Sequence, residues 1–264
     1  MIQQAFAANL IEIIKNDPAV IGMAAGGSWI TNEIDDYSDL DLVLVTREKI
    51  SNDPDKMLAY ARRFGKLLSG FTGEHVGEPR VLICLYDEPL LHVDIKFLVL
   101  DELTVRVETP EILYDTDDQL KKKLSASTAK FPYPSYQWIE DRFWTWVHYG
   151  LLKIGRGEYF EALDFLSALR QMVLGPLLLV KHGNLPRGVR KVETQLPAPD
   201  MELLKKTIAT HDRASLLQAL ENCIHIYRDL RTKLFDKKIV LQSATEEKVM
   251  QYFLHVRQET SDNK

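Results

Sequence analysis

Asp39 and Asp41 stand two apart at the entry to the apolar run LDLVLV, residues 40–45. Such a run reads as a strand. Residues two apart on it project to one side of the pleat, while Leu40 and Leu42 face the core. Two carboxylates forced side by side repel each other, and the arrangement persists cheaply when a cation lies between them. A hard divalent ion such as magnesium, its shell completed by phosphate oxygens, suits an all-oxygen donor set. Upstream, Gly26-Gly27-Ser28 closes the apolar run 19–25. The two glycines let backbone amides approach a ligand closely, and Ser28 adds a hydroxyl. The pattern is a phosphate cradle beside a metal site. A third carboxylate, Asp94, is the single acid in LLHVDIKFLVL, residues 90–100. If Leu91, Val93, Ile95 and Phe97 face the core, then His92, Asp94 and Lys96 share the opposite face. Should that strand neighbour the 40–45 strand, Asp94 joins the cluster, to hold metal or to accept a proton from an attacking hydroxyl.

The elements that must position these groups follow from periodicity. Residues 2–15 carry Phe6, Leu10, Ile13 and Ile14 at helical spacing, and Asn16-Asp17-Pro18 ends the pattern. Residues 53–69 read as a helix with Asp53 as cap, Pro54 in the first turn and Met57, Leu58, Ala61, Phe64, Leu67 and Leu68 on one face. Residues 80–86 and 91–100 read as two strands joined by the turn Asp87-Glu88-Pro89. After about residue 115 the grammar changes. Lys121-Lys122-Lys123 and Phe131-Pro132-Tyr133-Pro134 have the composition of a connection. Beyond it every long segment is helical: 135–154, 158–182, a shorter stretch near 201–210, and 214–235. The fold class expected is therefore α+β: a mixed sheet of about four or five strands over 1–125, followed by an all-α helical bundle over 126–264, with the site in the cleft where they meet.

Composition narrows the partners. The 264 residues are 45% hydrophobic and 27% charged, ordinary for a globular protein. With 33 Lys and Arg against 38 Asp and Glu, the net charge is −5 and no long basic run occurs, so nucleic acid held through phosphate contacts is disfavoured. No window reads as a membrane span or a signal peptide. Cys84 and Cys223 read as buried thiols of a reducing compartment, which makes the expected location cytoplasmic. His75, His148, His182, His211, His225 and His255 lack zinc-ligand spacing. Triphosphate-loop lysine spacing and a Gly-x-Gly-x-x-Gly element are also missing.

A Gly-Ser turn, an acid-apolar-acid strand after a loop of about ten residues, and a third acid in a later apolar strand resemble the DNA polymerase β-like nucleotidyltransferase superfamily. Within it, Tyr37-Ser38-Asp39-Leu40-Asp41 is similar to the lincosamide and aminoglycoside nucleotidyltransferases, and LLKIGRGEYFEALDFLSALRQ, residues 151–171, to the lysine-bearing helix, turn and following helix of those enzymes. The resemblance implies magnesium-dependent transfer of a nucleoside monophosphate, from ATP or another nucleoside triphosphate, to a hydroxyl of a small molecule, an antibiotic being one class. Asp39, Asp41 and Asp94 would be catalytic and metal-ligating. Gly27, Ser28 and Lys153 would bind the nucleotide and Glu158 would contact substrate; Trp144, at helical spacing with Trp138 and Tyr149, reads either as core or as lining of the acceptor pocket, and Lys96 either as a solvated strand residue or as a substrate phosphate contact. Neither nucleic acid nor membrane is expected as a partner; a homo-oligomer is compatible. Many members have an arginine and a later glycine where this chain has Trp29 and Asn32. Asparagine tolerates the left-handed conformation, so the turn survives, whereas Trp29 supplies no charge. The rival reading is a degenerate or protein-directed nucleotidyltransferase scaffold with a regulatory binding role.

Overall fold

The computed structural model describes residues 1–259. By its polar composition the tail from Gln258 to Lys264 reads as frayed, and beyond residue 259 it lies outside the described residues. The chain divides into two compact units, Met1–Phe131 and Pro132–Lys264.

The first unit opens with α1 (Ile2–Ile14), β1 (Val20–Ala25) and β2 (Leu40–Thr46). It continues through α2 (Pro54–Arg63), β3 (Lys66–Gly73), β4 (Glu78–Asp87), β5 (Leu91–Val99), β6 (Glu111–Asp115) and α3 (Gln119–Ser125). Among the described residues its strands form one six-stranded sheet in the order β3-β4-β5-β2-β1-β6. Only β2 and β5 run parallel; every other neighbouring pair is antiparallel.

One face of the sheet is covered by α1 and α2. Leu40, Leu42, Leu44, Val93, Ile95 and Phe97 pack there against Leu10, Ile14, Met57 and Phe64. The opposite face is covered only toward the far ends of β2 and β5, where Val45 and Leu98 meet Leu103 and the α3 residues Leu120 and Leu124. The strand starts on that face hold the acids Asp39, Asp41 and Asp94, each half-buried.

Two expected elements shift. The helix read over 53–69 stops at Arg63, because Phe64 turns into the core, Gly65 follows and Leu67 and Leu68 continue as strand β3. Asp53 caps α2 as expected, its carboxylate accepting from the Lys56 amide at 3.1 Å. The lysines 121–123 belong to a helix, not a connection: Leu120 and Leu124, four apart, bury one side of α3 and leave the lysines outward. Residues beyond α3 stay with the first unit. Arg106 donates to the Ser127 hydroxyl at 2.6 Å, the Ser127 carbonyl at 2.7 Å and the Leu124 carbonyl at 3.0 Å, and the Lys130 amide donates to the Arg106 carbonyl at 2.9 Å.

Among the described residues of the second unit the regular elements are all helices: α4 (Tyr136–Arg156), α5 (Tyr159–Leu169), α6 (Gly175–Lys181), α7 (Val192–Gln195), α8 (Ala198–Lys205), α9 (Arg213–Leu234) and α10 (Ser243–Gln258). Gly157, at φ +76°, ends α4 in the left-handed conformation. A π-helical turn over Arg170–Leu174 joins α5 to α6. The resulting segment Tyr159–Lys181 is long and apolar enough to cross a membrane by composition, a property the sequence reading did not find. Its apolar side chains, among them Leu166, Val173 and Leu177, are part of the core of this unit. Glu140, fully buried, accepts from the Tyr227 hydroxyl, from Arg231 at 3.3 Å and from the Gln242 amide at 2.9 Å, and so ties α4, α9 and the start of α10 together. Cys84 and Cys223 are free thiols, both buried.

Candidate functional site

The parallel pairing of β2 with β5 sets Asp41 directly opposite Asp94, with Leu40 opposite Val93 and Val43 opposite Lys96. Neighbouring strands lie about 4.8 Å apart, so the two carboxylates leave the same face as immediate neighbours. Asp39 precedes β2 on the same side. Burial pushes the Asp94 carboxyl above its ordinary value. The charge and hydrogen bond of His92 oppose that shift, and the negative charge of Asp39 adds to it. His92 Nε2 lies 2.9 Å from Asp94 Oδ1. The open sheet face thus carries crowded carboxylates, one of them partly desolvated. Among the described residues, no group of three or more His, Cys, Asp or Glu side chains is gathered into a metal-binding cluster.

The turn after β1 is built against these acids. The Gly26 amide donates to the Asp41 carbonyl at 2.9 Å. Gly27 opens a 3-10 turn through Trp29 at φ +58°, and a Cβ placed on it would lie 2.0 Å from Asp41 Oδ2. Ser28 sits in the same turn. The Gly27 amide donates to Glu108 Oε1 at 2.9 Å, so a carboxylate already occupies one amide of the turn. Trp29 packs against the core of the unit, and Asn32 takes the left-handed conformation at φ +55°. Ser38 shapes the loop before Asp39 by bonding Asp35, its hydroxyl donating to Asp35 Oδ1 at 2.9 Å.

Lys96, on the acid face two residues after Asp94, ion-pairs with Glu78 Oε2 at 2.7 Å, and Arg80 holds the same Glu78 through two contacts of 2.7 Å. The residues expected from the second half lie in the second unit. Lys153 Nζ bonds Glu158 at 2.8 Å and Glu161 at 3.0 Å and sits over the Tyr149 ring, so Lys153 and Glu158 form an ion pair of their own. Trp144 is buried among Phe143, Tyr227, Arg228 and Arg231. Its ring is a packing element of the core and offers no face to a ligand.

Five further residues shape the site. His92 is visible in the strand alternation, which puts it beside Asp94. Glu78 and Arg80 carry no local signal, and Glu108 lies 81 residues from the amide it accepts from. Gln3 is the fifth. It is 1% exposed, and its amide nitrogen donates to the Asp35 carbonyl at 2.9 Å and the Ser38 carbonyl at 2.8 Å, which pins the loop that delivers Asp39. A signal existed: Gln3, Ala7, Leu10 and Ile14 share the buried face of α1, a polar residue at a core position. Gln3→Ala should cost about 1–3 kcal/mol and release the 35–38 loop. Thermal unfolding and loop proteolysis check this, and an unchanged cleavage pattern would refute it.

No protein-family profile matches the sequence, and no curated protein matches it. Among solved structures, the chain is similar to an aminoglycoside 6-adenyltransferase from Bacillus subtilis, at 15% identity, 97% of this chain, 99% of that one and a TM-score of 0.43. It is also similar to a nucleotidyltransferase-like protein from Exiguobacterium sibiricum 255-15, at 14% identity, 100% of this chain, 97% of that one and a TM-score of 0.35.

Proposed function

We propose that the protein is an enzyme that moves a nucleoside monophosphate from ATP, or another nucleoside triphosphate, to a hydroxyl group of a small molecule. The observation that carries this reading is the register match of Asp41 with Asp94 on adjacent parallel strands, within reach of the Asp39 charge and beside the Gly27 turn. The donors are all carboxylate oxygens, which suits magnesium better than zinc or copper. Asp39 and Asp41 would hold the ion, with Asp94 as a further ligand. Bound there, magnesium supplies positive charge against the phosphate oxygens of substrate and leaving group.

The protein's own groups divide the remaining work. The Gly27 amide and the Ser28 hydroxyl bind phosphate oxygens, the former after exchanging its Glu108 partner for the ligand. The acceptor oxygen forms a bond to the α-phosphorus as the bond to the bridging oxygen breaks, and pyrophosphate leaves with the electron pair. Asp94, whose carboxyl holds a proton more readily than an exposed aspartate, takes the hydroxyl proton. The free thiols Cys84 and Cys223 and the triphosphate co-substrate fit a cytoplasmic setting.

The experiment follows pyrophosphate release from magnesium-ATP in the presence of hydroxyl compounds. Asp39→Asn and Asp41→Asn should each lower it by about 100- to 1000-fold with no loss of thermal stability. Full magnesium-dependent release by both variants would reject the assignment. Calorimetry with ATP, with and without magnesium, separates the enzyme from a decayed scaffold, which would show no metal-dependent binding.

A further inference from the structure

The acid face of the sheet continues from Asp41 and Asp94 into a cavity of about 650 Å³, within the range of small-molecule sites. Its floor is Val43, Lys96 and Leu98, two to four residues along the strands beyond the Asp41–Asp94 pair. Lys96 stands two residues from Asp94, roughly 7 Å along the strand. An occupant of this floor therefore has one end beside the group assigned as base. The facing wall is the segment that carries Val105, Val107, Glu108 and Pro110. That wall is held in place, because the Arg106 guanidinium is spent on the carbonyls of Leu103, Leu124 and Ser127 and on the Ser127 hydroxyl. The cavity lies wholly within the first unit.

Its charge is distinctive. Four cations, Arg80, Lys96, Arg106 and Lys130, line it against two carboxylates, Glu78 and Glu108. Glu78 is engaged by Arg80 and Lys96, and Glu108 accepts from the Gly27 amide until a phosphate takes its place. Arg80, chiefly by its hydrogen bonds, and Lys96 hold the Glu78 carboxyl down to about 2. The rest of the lining is largely aliphatic, which strengthens charge interactions by excluding water. A polycation placed here meets a net like charge, whereas an anion with an apolar body meets both walls on favourable terms.

Building on the nucleotidyl-transfer reading, we infer that this cavity is the acceptor subsite and that it selects a hydroxyl compound bearing a carboxylate or phosphate group over a polyamine-bearing one. The Gly26–Ser28 turn holds the triphosphate beside Asp41, and the cavity, which Gly26 borders, presents the acceptor hydroxyl to Asp94.

The test uses the full chain with magnesium and α,β-methylene-ATP and reads binding by calorimetry and ligand-observed NMR. The probes are three sets of hydroxyl compounds: sugar phosphates and hydroxy acids, neutral polyols, and aminoglycosides. Binding at millimolar concentration should be confined to the first set. Lys130→Ala, at an exposed position, should weaken it by about tenfold, and Val107→Trp should abolish it by filling the cavity. Both variants should still bind magnesium-ATP. Preference for aminoglycosides or neutral polyols, no binding by any anionic probe, or undiminished binding to Val107→Trp would each overturn the inference. Failure of the wild type to bind magnesium-ATP would instead sink the nucleotidyl-transfer reading, and the anion preference would still be scored by titrations without nucleotide.

Discussion

Asp94→Asn is expected to slow nucleotidyl transfer by about 10²- to 10⁴-fold, the usual worth of a positioned general base, and at the same time to raise the melting temperature at neutral pH. The two effects share one cause. Burial and the charge of Asp39 favour the protonated form of Asp94 in the folded protein, so its carboxyl titrates above the ordinary 3.8. Between that value and the raised one, the folded chain binds more protons than the unfolded chain, so stability falls as pH rises through this window. Above it the ionised carboxylate is a standing cost, and asparagine removes that cost while still accepting from His92. Below it the variant and the wild type should melt alike. Transfer by the wild type should decline as pH falls through the raised value, because a protonated Asp94 takes no proton. Calorimetric melting and a pH–rate profile on both proteins check this. A variant less stable than wild type at pH 7, or a wild-type rate indifferent to pH across the acid limb, would refute it. A functional carboxylate held against its own solvation is a common place for stability and activity to trade.

The acids were legible because strand alternation is a local rule. Asp39 and Asp41 had to share a side, and so did His92, Asp94 and Lys96. What alternation cannot give is register between strands distant in sequence. That Asp41 falls opposite Asp94, and not one step away beside Val93, is fixed by the packing of Leu40, Leu42, Val93 and Ile95 on the other face, because a one-residue slip would turn those side chains outward. Helix α10 escaped sequence reading for a related reason. Its fully buried residues are only Val249, Phe253 and Val256, with Met250, Tyr252 and Leu254 spread over other faces, and its start has no side-chain cap; it is held by the contacts of Gln242 and Glu246 with Glu140, Arg228 and Arg231. Strand β3 was hidden because Leu67 and Leu68 extend the helical pattern of α2. Trp144 illustrates the limit of residue type as a guide: an aromatic on an amphipathic helix belongs to the core or to a ligand, and only packing decides. Glu108 and Gln3 act over long chain separations, so composition and spacing near them carry no trace of the amide or carbonyls they hold.

Gly27→Ala should be nearly as damaging to transfer as losing an acid, though it removes no functional group. The added Cβ would sit 2.0 Å from Asp41 Oδ2 and 3.1 Å from its Cγ, and real contacts of this kind do not fall below 3.0 Å. The carboxylate is the end of a side chain, so it yields by rotating away, and its oxygen moves by at least 1 Å. A displacement of that size in a reacting assembly costs about 100-fold in rate. The left-handed φ of +58° adds roughly 1–2 kcal/mol of backbone strain for alanine, which for a chain of this size lowers the melting temperature by only a few degrees. Gly26→Ala is the control. Its backbone is extended at φ −115°, and its Cβ would meet Glu108 Oε1 at 3.0 Å and Asp41 Cβ at 3.7 Å, so a small adjustment of Glu108 accommodates it and the Asp41 carboxylate stays in place. Measured together, Gly27→Ala should fall far below Gly26→Ala in turnover while the two melt within a few degrees of each other. Equal turnover for both would show that the position of the Asp41 carboxylate does not limit the reaction, and the role assigned to Asp41 would fall with it.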